Sequence, residues 1–207
     1  MPSVLSIGWV SDTLPKAEAF GAPVILDSAP PKRSLRQVAD SEYGIPLLLY
    51  EGGEALRFDE LAIRAGVRGA VNMMRALGML AASRSRKKAS TSVITQRSHW
   101  MRAPQSGIMR AARPLGAEVR QDEVLALVSD PFGDQEVPVI ARYSGIIIGL
   151  NHLPLVNEGD ALFHIARVPK PGEVEDQVER YHEALTEMDE LADPDEIDIN
   201  ANRITNT

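Results

Sequence analysis

The sequence predicts an α/β region followed by a small all-β region, and three observations support this fold class. Two short apolar runs, residues 22–26 and 45–50, flank a polar stretch and precede a long helical pattern. Residues 81–92 then lose all hydrophobic periodicity, which is typical of a domain boundary. Beyond that boundary, an internal repeat of short apolar runs indicates a β structure built from two similar halves.

The first region has the alternation of strands and helices that is typical of an α/β unit. The second apolar run, Ile45 to Tyr50, is predicted to be a strand buried on both faces, as in a parallel sheet. Ser34 to Asp40 is predicted to be a short helix or turn between the two strands. A longer helix is predicted from about Asp59, with Gly78 ending it and an apolar face formed by Leu61, Val67, Val71, Met74 and Leu77.

Gly66 and Gly69 lie inside this predicted long helix. Each glycine costs a helix about 1 kcal/mol relative to alanine. We therefore expect the helix to pack closely against a neighbouring element at these positions.

The second region repeats itself with an offset of 38 residues. Ala103–Ile108 recurs as Ala141–Ile146, and Asp122–Leu127 recurs as Asp160–Ile165. The repeat predicts two-fold pseudosymmetry in a small barrel or flattened sandwich, similar to the barrel-sandwich domains that carry biotin or lipoate on a lysine. No lysine occurs between residues 89 and 169, so a carrier role is excluded because there is no amine to acylate.

The distribution of charge and apolar residues excludes several other classes. The net charge is −7, but residues 172–207 carry twelve acidic residues against two arginines, so the first 171 residues are close to +3. An acidic extension of this kind is expected to be partly helical or disordered and does not favour nucleic-acid binding. No apolar stretch approaches the roughly 20 residues that cross a bilayer, and there is no cysteine. We therefore expect a cytoplasmic protein that contacts neither nucleic acid nor membrane.

Glu51 is the first candidate for a catalytic residue, because an apolar run ends there and a glycine pair follows. Ligands of open α/β sheets bind beyond the carboxyl ends of the strands. Gly52 and Gly53 would allow a sharp turn and a close approach to a ligand. The alternative interpretation is a solvated glutamate in a turn that ends the strand.

Arg36 is the second candidate, because arginine can hold a carboxylate through two parallel hydrogen bonds. The alternative is an ordinary surface arginine. The four histidines, His99, His152, His164 and His182, show no spacing that would place two of them on one metal ion, and we interpret them as structural. No serine-hydrolase motif and no phosphate-binding glycine loop occurs.

Several segments, taken in order, carry a resemblance to a known family: Ala19–Ser28, Ser34–Arg36, Tyr50–Phe58, Ile63–Gly69, Leu77–Leu80, Trp100–Pro104 and the β repeat. They resemble the succinylglutamate desuccinylase/aspartoacylase family of the zinc carboxypeptidase superfamily. The resemblance continues to about Val168 and covers roughly 150 residues.

The resemblance implies a zinc-dependent hydrolase that cleaves an N-acyl amino acid or a similar small amide. It further implies a partial zinc-carboxypeptidase-like α/β domain over residues 1–82, a linker over 83–92, a barrel-sandwich domain over 93–168 and an acidic tail over 169–207. Glu51 matches the family's general base and acid in a Glu-x-Gly string. Arg36 matches the arginine that contacts the substrate carboxylate.

The chain departs from the family pattern at the metal site. The family binds zinc through a histidine and a glutamate in a Gly-x-His-Gly-x-Glu string and through a second histidine, all upstream of the segment that begins at Ala19. Only eighteen residues precede Ala19, and none matches a ligand. The expectation is therefore a deacylase portion that is inactive in isolation and exposes an apolar edge suited to homo-oligomerisation. The alternative is a non-catalytic interaction or assembly module derived from the same family.

Overall fold

The computed structural model of the protein describes residues 6–9, 14–54, 56–82, 92–168 and 170–190. The basic stretch Arg84–Lys88, which the sequence places in a linker, lies outside the described residues. The helices are α1 Leu14–Phe20, α2 Leu35–Tyr43, α3 Glu60–Ala76 and α4 Pro171–Glu190. The strands are β1 Ser6–Trp9, β2 Val24–Asp27, β3 Leu48–Glu51, β4 Val93–Thr95, β5 Ser98–Arg102, β6 Gly107–Ala111, β7 Glu118–Val119, β8 Val124–Ser129, β9 Glu136–Ile140, β10 Gly145–Leu150, β11 Leu155–Val156 and β12 Ala161–Ala166.

The first sheet has the strand order β3-β1-β2-β4. Strands β1, β2 and β4 are parallel, whereas β3 runs antiparallel to β1 at the sheet edge. The prediction that residues 45–50 form a parallel strand buried on both faces is therefore wrong. In β3 the half-buried residues Leu48 and Tyr50 alternate with the exposed residues Leu49 and Glu51, as expected for a strand with one face packed.

The predicted long helix is confirmed as α3, and the segment predicted to be a short helix or turn forms helix α2. Each of the two helices begins at a capping side chain. Ser34 accepts a hydrogen bond from the Gln37 amide at 3.2 Å, and Asp59 accepts one from the Ala62 amide at 3.0 Å. Helix α2 extends three residues beyond the predicted end and stops at Gly44, which has a left-handed φ of 62°.

The predicted apolar face of α3 is wrong for Val67, Met74 and Leu77, which are exposed, whereas Leu61 is partly buried against the core. The residues that α3 buries are small: Ala62, Ala65 and Gly69. An added Cβ at Gly69 would overlap the ring of Phe20, and one at Gly66 would lie 3.1 Å from the ring of Tyr50. The expected close packing at both glycines is thus confirmed, because two aromatic rings fill the space that side chains on α3 would need.

Residues 98–166 form two antiparallel four-stranded sheets with the orders β5-β12-β10-β7 and β11-β6-β8-β9. The repeat appears directly in the strand pairing, since β6 pairs with β8 as β10 pairs with β12. A single apolar core that includes Leu125, Val128, Ile147 and Phe163 joins residues from both sheets. The described residues thus form a flattened sandwich, not a closed barrel.

Helix α4 lies in the range predicted to be an acidic tail, and it connects the two regions. Val174 and Val178 pack with Val24 of the first sheet and Ile146 of the sandwich. One and two turns later, Tyr181 and Leu185 pack among α1 and α3 residues that include Phe20, Ala62 and Ala65. Of the two expected states of the acidic extension, a helix is confirmed over Pro171–Glu190.

The start of the predicted β domain also contacts the first region. Strand β4, Val93–Thr95, pairs with β2 and completes the first sheet. The chain then turns into β5, the edge strand of the sandwich. Among the described helices, none is both long and apolar enough to cross a membrane.

Candidate functional site

Glu51 is the last residue of β3, and its carboxylate is exposed. The strand register aligns Glu51 with Ser6 of β1, and Ser6 with Val24 of β2. Because aligned residues of neighbouring strands point to the same side of a sheet, Glu51 shares a face with Val24, which packs toward the sandwich and α4.

The location predicted for Glu51 needs a correction, since the residue lies within the strand and not beyond it. Strand β3 is antiparallel to its neighbours, so its carboxyl end lies at the edge where β1, β2 and β4 begin. The rule that places ligands beyond the carboxyl ends of parallel strands therefore does not apply to Glu51.

The turn after Glu51 is held against α3. Gly53 has a φ of +79°, a conformation that glycine adopts without strain, and an added Cβ would lie 3.4 Å from the Cβ atoms of Asp59 and Ala62. A cleft of about 360 Å³ lies beside this turn and is lined by Glu54, Phe58 and the face of α3. Glu51 does not line the cleft, because side chains alternate along β3 and Glu51 points to the opposite face from Tyr50.

Tyr50 positions the strand that carries Glu51. Its hydroxyl donates a hydrogen bond of 2.6 Å to the carbonyl of Ala62, and its ring centre lies 5.3 Å from that of Phe20. Burial, followed by the charges of Tyr181 and Asp59, raises the pKa of Tyr50 far above its usual range. Tyr50 therefore remains a protonated donor that fixes β3 against α3. Sequence reasoning missed this role, although Gly66 at the contact was a signal for a large neighbour.

Arg36 lies in the first turn of α2, and its side chain is half-buried. Its Nη1 atom is buried and has no hydrogen-bond partner within the described part of the chain. A buried donor without a partner costs free energy, and an anion at this position would remove that cost. No hydrogen bond or ion pair of the described residues joins Arg36 to Glu51.

The described residues contain no group of three or more His, Asp or Glu side chains that could hold a metal ion. His164 stacks on Trp100 with ring centres 4.5 Å apart, and burial, with a smaller effect of His99, lowers its pKa to about 4. This environment agrees with a structural role for His164 in the sheet. The donor set of the described residues therefore does not fit a zinc centre.

The α/β sheet joined to an antiparallel sandwich is similar to the fold of solved structures named as succinylglutamate desuccinylase/aspartoacylase proteins. A structure of that name from Rhodobacter sphaeroides superposes with a TM-score of 0.69 at 22% identity, over 82% of this chain and 55% of the other. The product-bound ectoine utilization protein EutE (DoeB) from Ruegeria pomeroyi superposes with a TM-score of 0.68 at 20% identity, over 81% of this chain and 54% of the other. A succinylglutamate desuccinylase from Silicibacter superposes with a TM-score of 0.64 at 20% identity, over 80% of this chain and 54% of the other.

These comparisons confirm an α/β fold with antiparallel sheets similar to that of desuccinylase/aspartoacylase structures, whereas the division into two domains stays a prediction. The chain spans about half the length of the solved structures that it matches. No protein-family model matches the chain, and no curated protein matches it in sequence.

Proposed function

We propose that this chain is part of a zinc-dependent hydrolase of the N-acyl amino acid deacylase type, in which Glu51 transfers protons and Arg36 binds the substrate carboxylate. The observation that supports the proposal most directly is the fold likeness to desuccinylase/aspartoacylase proteins, which extends over four-fifths of the chain. The exposed carboxylate of Glu51 is accessible to a substrate. The buried Nη1 of Arg36 without a partner is the second supporting observation, because a carboxylate would satisfy it.

The different roles proposed for Glu51 and Arg36 follow from the chemistry of their side chains. A positioned carboxylate can accept a proton from water and return it to the departing amine, whereas a guanidinium stays charged and serves to bind. The metal of this proposal would need ligands from outside the described residues, because those residues contain no ligand group. The proposed substrate is therefore a small amide with a free carboxylate, such as an N-acyl amino acid.

The purified chain alone is expected to bind no zinc tightly and to hydrolyse N-acyl amino acids no faster than background. The physical reason is the lack of a three-ligand group among the described residues. The measurements are metal content after dialysis and amine release from a panel of N-acyl amino acids. Turnover that a chelator abolishes and zinc restores would contradict this expectation.

The same assay on the chain joined to a segment that supplies a His-Glu-His ligand set tests the proposed function itself. Zinc binding with hydrolysis is the expected result. Zinc binding in a folded protein without hydrolysis would instead favour a non-catalytic assembly role.

Homo-oligomerisation is proposed because β3 leaves its edge unpaired among the described strands and α3 exposes apolar side chains. Ile63 is 42% exposed and Val67 47% exposed, and they lie one turn apart on α3. Phe58, just before the helix, is 92% exposed. Such a surface, next to an open strand edge, favours association with a second copy.

Light scattering of the purified chain is therefore expected to show dimers or larger species. The substitutions Ile63→Lys and Val67→Lys should shift the population toward monomer, because they place charge on the apolar face of α3. Ala76→Lys is the matched control, because Ala76 is exposed on the same helix but lies about 140° around its axis from Ile63. A monomer at high protein concentration would contradict the proposal.

A further inference from the structure

A second candidate site lies at the opposite edge of the first sheet from Glu51. The alignment of Glu51 with Ser6, Val24 and Val93 places Glu51 where the parallel strands begin. Where β4 ends, a cleft of about 660 Å³ opens between the first sheet and the sandwich. We call it the arginine cleft, and the residues that matter for its chemistry are Thr95, Arg97, Tyr143, Ser144 and Arg167.

Two arginines line this cleft without an acidic partner. Neither Arg97 nor Arg167 forms an ion pair within the described part of the chain, whereas Arg57, Arg110 and Arg113 each pair with a glutamate. Asp27, the last residue of β2, accepts a hydrogen bond of 2.8 Å from the side-chain amide of Gln96. The arginine cleft therefore carries positive charge that its own side chains do not neutralise.

The backbone around the arginine cleft holds the two arginines next to each other. The Arg167 amide donates a hydrogen bond of 2.8 Å to the Arg97 carbonyl, and the Thr95 hydroxyl donates one of 2.5 Å to the Arg167 carbonyl. Thr95 is buried, so this connection is shielded from water. The two arginines therefore extend from adjacent backbone positions, and both line the same cleft.

Aromatic and hydroxyl groups complete the wall of the cleft. The Arg167 Cζ lies 4.4 Å from the centre of the Tyr143 ring, and the His99 ring centre lies 4.7 Å from that of Tyr143. Ser144 Oγ accepts a hydrogen bond from the Gln121 amide, so its own proton is available for a ligand. A cation stacked on an aromatic ring loses little side-chain freedom when it binds an anion.

The internal repeat has different residues at the equivalent positions of its first half. The positions 38 residues before Tyr143 and Arg167 are Gln105 and Ser129. In the first half, the side-chain amide of Gln105 donates a hydrogen bond of 2.9 Å to the Val128 carbonyl. The polar group at the position equivalent to Tyr143 is therefore satisfied within the protein. The hydroxyl oxygens of Ser106 and Ser144, by contrast, each accept a hydrogen bond of 2.9 Å from a backbone amide in a loop. The two halves thus share the serine at the turn, but only the second half has an aromatic ring, Tyr143, and a positive charge, Arg167, at these positions.

We propose that the arginine cleft binds a small oxyanion with two negative charges, held by the guanidinium groups of Arg97 and Arg167. A phosphate group and a dicarboxylate both present pairs of oxygen atoms that arginine binds through two parallel hydrogen bonds. Tyr143 and Ser144 supply further hydroxyl donors at the same wall. Residues from β4, from the turn before β10 and from the end of β12 all contribute, so the ligand would contact both the first sheet and the sandwich.

Calorimetric titration of the full chain with inorganic phosphate, and separately with malonate, tests this proposal at constant ionic strength. Saturable binding of at least one anion is expected, and which of the two binds more tightly distinguishes phosphate from dicarboxylate recognition. Arg97→Gln and Arg167→Gln should each weaken binding at least about tenfold, which corresponds to the loss of one charge-assisted contact. Arg110→Gln, the same change at an arginine of the other sandwich sheet, should leave the affinity within about twofold.

Several results of these titrations would contradict the proposed anion site. Absence of saturable binding by both anions, or equal losses in Arg110→Gln and Arg167→Gln, would overturn the proposal. Should Arg167→Gln unfold, Arg167→Lys keeps the charge and removes the planar fork, and it should bind more weakly than the unsubstituted chain. Undiminished binding in a folded Arg97→Gln protein would likewise count against the site.

Discussion

Replacing Glu51 with glutamine is expected to lower kcat for the hydrolysis of N-acyl amino acids by about 100- to 10,000-fold. The amide side chain keeps the size and hydrogen-bonding capacity of the carboxylate but cannot accept a proton. Because Glu51 is exposed at the end of β3 and makes no packing contact with the apolar core, the fold should be unaffected. The assay uses whichever form is active, either the chain alone or the chain joined to a segment with zinc ligands, and it compares kcat, metal content and melting temperature.

Glu54→Gln is the matched control for this experiment. Glu54 lies three residues further on, lines the cleft beside α3 and pairs with Arg57 at 3.3 Å. Surface ion pairs of this kind contribute little stability, so the control should retain nearly full activity. Equal losses in the two variants, or a larger loss at Glu54, would show that the assignment of Glu51 is wrong.

The sequence predicted the elements around the candidate site better than their arrangement. Strand β2 and helix α3 were evident from the apolar pattern, and the two similar β halves were evident from the 38-residue offset. For α2 the sequence left a short helix or a turn open, and for the β region a barrel or a flattened sandwich. The direction of β3 was not, because a short apolar run contains no information about which strand lies beside it. Its pairing with β1 depends on residues 40 positions away, and that pairing decides which edge of the sheet carries Glu51.

The buried face of α3 shows a second limit of sequence patterns. Periodicity selects the largest apolar residues, yet Val67 and Leu77 are about half exposed, whereas Ala65 and Gly69 are buried. The rings of Phe20 and Tyr50 fill the interface, and only small residues on α3 fit beneath them. The buried Nη1 of Arg36 could not be predicted either, because the absence of a hydrogen-bond partner is a property of the folded neighbourhood.

The substitution Gly145→Ala is expected to destabilise the protein by about 3 kcal/mol or more, the upper range for overpacked sites. An added Cβ would overlap the backbone carbonyl oxygen of Ala166 and approach the Ile165 side chain at 2.8 Å. A backbone oxygen in a paired strand cannot move aside without breaking the β10–β12 ladder. The repeat makes the same prediction for Gly107→Ala, where the Cβ would overlap the carbonyl oxygen of Ser129.

Thermal and urea unfolding measure both effects, and a melting temperature lower by about 6–12 °C is expected for a chain of this size. Gly133→Asn is the control: Gly133 has a φ of +78°, which asparagine tolerates, and a Cβ there meets no atom within 4 Å. Its effect should stay within about 1 kcal/mol. If Gly145→Ala were as mild as the control, β10 and β12 would have to lie further apart than the structure places them. A severe effect at Gly145 with a mild one at Gly107 would instead show that the two halves of the repeat differ in how tightly their strands pair.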